Sequence, residues 1–418
     1  NIPHAVDATR PEVLGIKPEL EVDGVLTEHF SRPDPIHFDP QEPYSEHEGI
    51  VTFRGDHFRS TAAYGTAAMA QKKLEVKWSI DTGKLKKGYG SGFWTGSGWT
   101  GQPLIVRWKK EDKQRMNLPH ELVEDDNLAE VIYSTMDGKV YFLNLATGER
   151  TREDIEVGLP FKGAGALHPS LPLLHLGPGD SGPDKETQYA RAYLYSLTNQ
   201  EKLLEYGGGP DPFAIRVFHG FDSSPLFDKK TDTLIEPSEN GILYTMKLNS
   251  VFDENGNIKI DPSEVVKLRY STARSSEQSY WLGMEDSAVV YQNFIYIADN
   301  GGNLLCIKPP VHQLQRVLHQ NVLANRNALR VHNTHGRIDL RGGGHGALMR
   351  AGELGREGYD HNVLSRSDGL LVRLRIGIRV HLAGAGQLVA FDKQLVEALM
   401  AQIDTVLVHG GAKGNGQR

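Results

Sequence analysis

Asp137-Gly138-Lys139-Val140-Tyr141-Phe142-Leu143-Asn144-Leu145-Ala146-Thr147-Gly148-Glu149 decides the fold. Asp-Gly supplies the positive φ angles of a two-residue hairpin turn, and the residues after it are β-branched, aromatic or aliphatic, as a half-buried strand requires. Val131-Ile132-Tyr133-Ser134-Thr135-Met136 precedes the turn with the same character, and Ala146-Thr147-Gly148-Glu149 turns the chain onto a further strand.

The same unit recurs. Asn240-Gly241 leads into Ile242-Leu243-Tyr244-Thr245-Met246-Lys247-Leu248, and Phe294-Ile295-Tyr296-Ile297-Ala298 meets Asp299-Asn300-Gly301-Gly302 before Asn303-Leu304-Leu305-Cys306-Ile307. Four further segments run from small and polar residues into an apolar strand: Gly101-Gln102-Pro103-Leu104, Gly163-Ala164-Gly165-Ala166, Asp222-Ser223-Ser224-Pro225 and Glu285-Asp286-Ser287-Ala288. With Gln102, Gly165, Ser224 and Ser287 taken as equivalent, the steps are 63, 59 and 63 residues. Short strands recurring at that interval without long helices predict an all-β fold, a β-propeller of four-stranded blades. Closure at six to eight blades, with seven the expectation, needs more units than residues 50–307 supply.

Phe53-Arg54-Gly55-Asp56, Gly96-Ser97-Gly98-Trp99-Thr100-Gly101-Gln102-Pro103 and Glu239-Asn240-Gly241, with the hairpins above, resemble bacterial PQQ-binding-like (quinoprotein-like) β-propeller repeat proteins over about residues 50–307. The resemblance implies the cell envelope or the outside of the cell. Its enzymes, dehydrogenases oxidising an alcohol or sugar, carry pyrroloquinoline quinone (PQQ) on a calcium ion, and the alcohol dehydrogenases among them commonly pack two adjacent cysteines against the quinone. Only Cys306 is present here, and a calcium set of Glu, Asn and Asp cannot be carried over residue by residue. No cofactor is therefore expected; PQQ and calcium belong to the alternative, a PQQ-dependent dehydrogenase. The leading expectation is a binding or scaffold module, and a carbohydrate-binding or carbohydrate-active propeller is a third reading.

Composition narrows the partners. A formal net charge of −7 argues against a nucleic-acid surface, and no apolar run is long enough to span a bilayer. A protein or a polar small-molecule or saccharide ligand is left. Asn1 in place of Met reads as a processed or trimmed chain, from which any export signal would already be gone. Residues 1–49, rich in Pro, Glu and His, read as an extended arm. Residues 308–418 differ in character: only Tyr359 and Phe391 of the 34 aromatic residues, and 8 of the 17 histidines, lie after Lys308. This anomalous segment reads either as the remaining blades or as an altered reading frame.

In a propeller the residues just before each innermost strand crowd one mouth of the central channel. That placement nominates Gln102, Asp222, Ser223, Glu285, Asp286 and Ser287, with Trp94 and Trp99 on the neighbouring Gly-rich loop, as a site for a polar ligand or cation. The competing reading has these groups bonding strand ends and channel water. Other motifs fare worse. Gly96–Gly101 fits a dinucleotide fingerprint but continues into a strand rather than a helix. Gly179-Asp180-Ser181-Gly182 matches a protease nucleophile segment that finds no histidine motif. Asp253-Glu254-Asn255-Gly256-Asn257 offers oxygens to calcium yet lies where a hairpin turn belongs, and His332, His335 and His345 fall in the anomalous segment.

Overall fold

Four antiparallel sheets, each a meander from one innermost strand outward, carry the chain in the computed structural model. It describes residues 7–66, 73–88, 90–98, 100–184, 188–209, 211–216, 218–272, 282–309, 312–319, 329–332 and 337–340. The first blade runs Leu104–Arg107, Glu130–Ser134, Lys139–Asn144 and Ile155–Glu156, with Glu48–Ile50 added inside Leu104–Arg107. The second is Ala166–Leu167, Leu173–Leu176, Ala192–Ser196 and Lys202–Tyr206. The third is Leu226–Asp228, Thr233–Pro237, Leu243–Lys247 and Ser263–Ser271; the fourth is Val289–Tyr291, Phe294–Ala298, Asn303–Lys308 and Gln313–His319. The protein is thus an all-β propeller with four blades among the described residues, and any further blades fall in segments outside them.

The hairpin turns foreseen in the sequence recur as one device. Tyr141 donates to Asp137 at 2.6 Å, Asn240 to Tyr244 at 2.7 Å and Asn303 to Asp299 at 2.6 Å, so each turn is closed by a side-chain bond between residues four apart. Gly138, Gly241 and Gly302 take the positive φ those turns need.

Burial explains the strand compositions. Leu173–Leu176 and Thr233–Pro237 are buried along their whole length because a sheet covers each face, whereas Phe294–Ala298 buries alternate residues only. Phe142, Leu174, Leu226, Ile235 and Ile295 are all fully buried in the core between blades, each stabilising by about 1.5–3 kcal/mol relative to exposure. The first and second blades are also pinned by a buried ion pair. Glu130 meets Arg152 at 2.7 Å and accepts from Trp108 at 2.8 Å, and Arg152 donates to the carbonyl of Leu197 at 2.9 Å.

Residues 1–49 do more than form an arm. Lys17–Val22 pairs along Ser263–Ser271, Val25–Thr27 follows as the sheet edge, and the third blade thereby gains two outer strands. The alternation Leu20, Val22 against Glu19, Glu21 suits a strand with one face toward the core. Of residues 308–418, only Lys308, Pro309, 312–319 and the backbone hairpin Leu329–His332 with Arg337–Leu340 are described, so the question of reading frame lies outside the described residues.

One segment crosses the middle. Val51 accepts from the Leu167 N–H, Thr52 bonds Ser224 Oγ at 3.0 Å, the Arg54 N–H donates to Gln102 Oε1 at 3.2 Å, and Val290 N–H donates to His57 at 2.9 Å. Arg59, 1% exposed, donates to the carbonyls of Phe53 (2.9 Å), Ser224 (2.7 Å) and Ala288 (2.9 Å) and to Thr52 Oγ1 (2.8 Å). Residues 51–59 therefore bond all four blades, at the entries to or within the strands Leu104–Arg107, Ala166–Leu167, Leu226–Asp228 and Val289–Tyr291.

Candidate ligand site at the channel mouth

In an antiparallel meander the entry to a blade's first strand and the turn between its second and third strands lie at the same end. That geometry gathers Asp222 and Glu285, on the entries to the third and fourth blades, with Glu239 and Asn300, in the second turns of those same blades. Asp222, Glu239 and Glu285 present carboxylate oxygens that all lie within 4.8 Å of one another. Asn300 donates its amide N–H to Glu285 at 2.7 Å.

The surroundings are close-fitting. A Cβ on Gly179 would collide with Asp222 Oδ1, and one on Gly283 would collide with the Arg216 guanidinium, so both positions require glycine for close approach. Arg216 donates to the Glu239 carbonyl at 3.0 Å and stacks 5.0 Å over Phe218, which is exposed. Burial pushes the Asp222 carboxyl up to about 6; Glu285 and Asp180 push it the same way, while Lys162 and Arg216 oppose them. Burial, with Asp222 and Glu285, also holds Glu239 well above the usual carboxylate range. Asp222 Oδ1 and Asn300 Oδ1 accept no hydrogen bond among the described residues, although each residue is only 5% exposed.

Of the residues nominated from sequence, Asp222 and Glu285 come together. Gln102 and Ser287 instead accept the Arg54 and Ser224 N–H groups, at 3.2 and 2.8 Å. Ser223 donates to Glu236 at 3.0 Å and to the Pro237 carbonyl at 2.6 Å. Asp286 is half-buried and outside the three-acid group. Trp94 is buried, with Lys87 4.2 Å over its ring, so it offers no open face to a sugar. Trp99 lies outside the described residues, as do His335 and His345 and the side chain of His332. The Asp253 carboxylate caps its own turn, accepting from the Asn255 and Asn257 N–H groups at 2.9 Å each. Glu239, Asn300, Lys162 and Arg216 were missed. The signal for the first two was available, since both lie in turns recognisable from Asn-Gly and Asp-Asn-Gly.

The carboxylate oxygens of Asp222, Glu239 and Glu285 suit a hard cation such as calcium. The one cysteine, Cys306, sits within the strand Asn303–Lys308, opposite Tyr296 on the neighbouring strand.

No protein-family model matches the chain, and no curated protein sequence matches it. Among solved structures it is similar to the quinohemoprotein alcohol dehydrogenase of Comamonas testosteroni (12% identity, 70% of this chain and 51% of that one, TM-score 0.34). It is similar also to BamB from Moraxella catarrhalis (14%, 57% and 63%, 0.31) and to a europium-containing methanol dehydrogenase (12%, 67% and 58%, 0.35). The chain thus spans between half and two-thirds of those structures' own length. At that level of likeness nothing about ligand or chemistry transfers from them.

Proposed function

We propose that this quinoprotein-like propeller is a binding module that works at its channel mouth, holding a positively charged group of a polar ligand or partner. The convergence of three carboxylates from two blades, within 4.8 Å of one another, carries the reading. Like charges crowded into a buried site raise the energy of the apo state, and a cation relieves it. Export to the cell envelope or beyond accompanies this reading, supported by the sequence motifs.

The second reading, a PQQ-dependent dehydrogenase, is favoured by one observation: the donor set suits calcium. Titration of the protein with PQQ and calcium, following quinone absorbance and dye-linked alcohol oxidation, separates the two. The binding module gives no turnover at saturating cofactor. Turnover abolished by Asp222→Asn would replace it with the enzyme.

A further inference from the structure

We infer that the group held at the mouth is a primary alkylammonium rather than a divalent metal ion. This rests on the reading of the mouth as a cation site and names the class of cation. Two buried acceptors, Asp222 Oδ1 and Asn300 Oδ1, have no donor among the described residues. Orphaned acceptors inside a protein call for N–H or O–H donors, and each one left unmet costs about 1–3 kcal/mol. An –NH₃⁺ group carries three donors and a single charge. It can serve carboxylate oxygens of Asp222, Glu239 and Glu285 together, since these lie within 4.8 Å of one another.

A divalent ion meets a poorer environment. Calcium takes six to eight oxygen ligands, and here the wall around the acids includes two cations, Lys162 and Arg216, that act on both Asp222 and Glu239. Asn300 also turns its N–H, not its oxygen, toward Glu285. The cations repel a metal dication more strongly than a singly charged ammonium, and they leave the acids room to select on hydrogen-bond geometry. An alkyl tail has an apolar contact on the rim, since Arg216 joins the site to the exposed ring of Phe218.

The test is calorimetry on the full chain at neutral pH with n-butylammonium, tetramethylammonium and calcium chloride, each alone. Butylammonium binds; tetramethylammonium, which has the charge but no N–H, binds at least tenfold more weakly; calcium gives no heat. Asp222→Asn and Glu239→Gln each weaken butylammonium by about tenfold or more while the thermal unfolding midpoint holds. Calcium binding in place of the amine would overturn the inference and leave the cation site standing. Binding by none of the three would overturn both. Equal binding of the two ammonium ions, or an unchanged affinity in both variants, would also overturn the inference. The comparison of the two ammonium ions needs no variant, so a variant that fails to fold does not blunt it.

Discussion

Arg59→Met removes the side chain that bonds the crossing segment to the third and fourth blades. The methionine keeps most of the apolar stem, so the loss is chiefly of hydrogen bonds. Arg59 serves the carbonyls of Phe53, Ser224 and Ala288 and the hydroxyl of Thr52. Left unpaired, the buried carbonyls of Ser224 and Ala288 cost about 1–3 kcal/mol each, and the half-buried one of Phe53 less. Against that stands the relief of a buried guanidinium, whose burial already pulls its pKa down to about 10. Set against the lost hydrogen bonds, this leaves a net loss of about 3–5 kcal/mol. For a domain stable by about 5–15 kcal/mol, and an m value of about 2 kcal/mol/M, the urea midpoint falls by about 2 M. Urea unfolding followed by tryptophan fluorescence measures it. Arg59→Lys should fall between the two, because one ammonium has three donors and cannot reach as many carbonyls as the fork. Arg10→Met, at a half-exposed arginine paired with exposed Asp7, should leave the midpoint in place. A shift below about 0.5 M in Arg59→Met, at an unchanged m value, would refute the assignment of residues 51–59 as the tie between blades.

Burial depresses the His47 imidazole to about 4 and the His175 and His312 imidazoles to about 3. Their stabilising effect is complete above about pH 6.5 and is lost as pH falls from there toward 3, because the unfolded chain takes up these protons first; the melting temperature should fall steadily below pH 6, and less so in His175→Gln. Glu236, wholly buried beside Ser223, has the opposite sign: its carboxyl is raised well above the usual range, so stability present below pH 4.5 is lost as pH rises, and Glu236→Gln should gain on the wild type at pH 8 relative to pH 5 in thermal melts. Breaking the Glu130–Arg152 pair by Arg152→Met should cost about 3–5 kcal/mol, with Glu130→Gln partly restoring it in the double variant by urea titration. Gly179→Ala should remove amine binding in calorimetry while the fold persists, since its methyl enters the space of Asp222 Oδ1.

The blades were legible because their evidence is local. Asp137-Gly138 and Asn240-Gly241 announce turns within a few residues, and Lys139–Asn144 and Phe294–Ala298 form strands at the bounds read from sequence. The pairing of Lys17–Val22 with Ser263–Ser271 was not legible, since no local rule links segments so far apart in the chain. At the mouth, Asp222 and Glu285 were found because they repeat. Gln102 and Ser287 repeat too, yet their side chains serve the crossing segment and a neighbouring blade, a use that depends on what else reaches the axis. Glu239 was overlooked because its turn was read only as a turn.

Repeat arrays whose units touch only their neighbours can open from an end, one unit at a time. Here residues 51–59 lie within bonding distance of every described blade, so no blade can peel away without disturbing a chain segment shared by the other three. Amide exchange should then slow together at Leu167 and Val290, whose N–H groups end on this segment, two residues that belong to separate blades and share no strand.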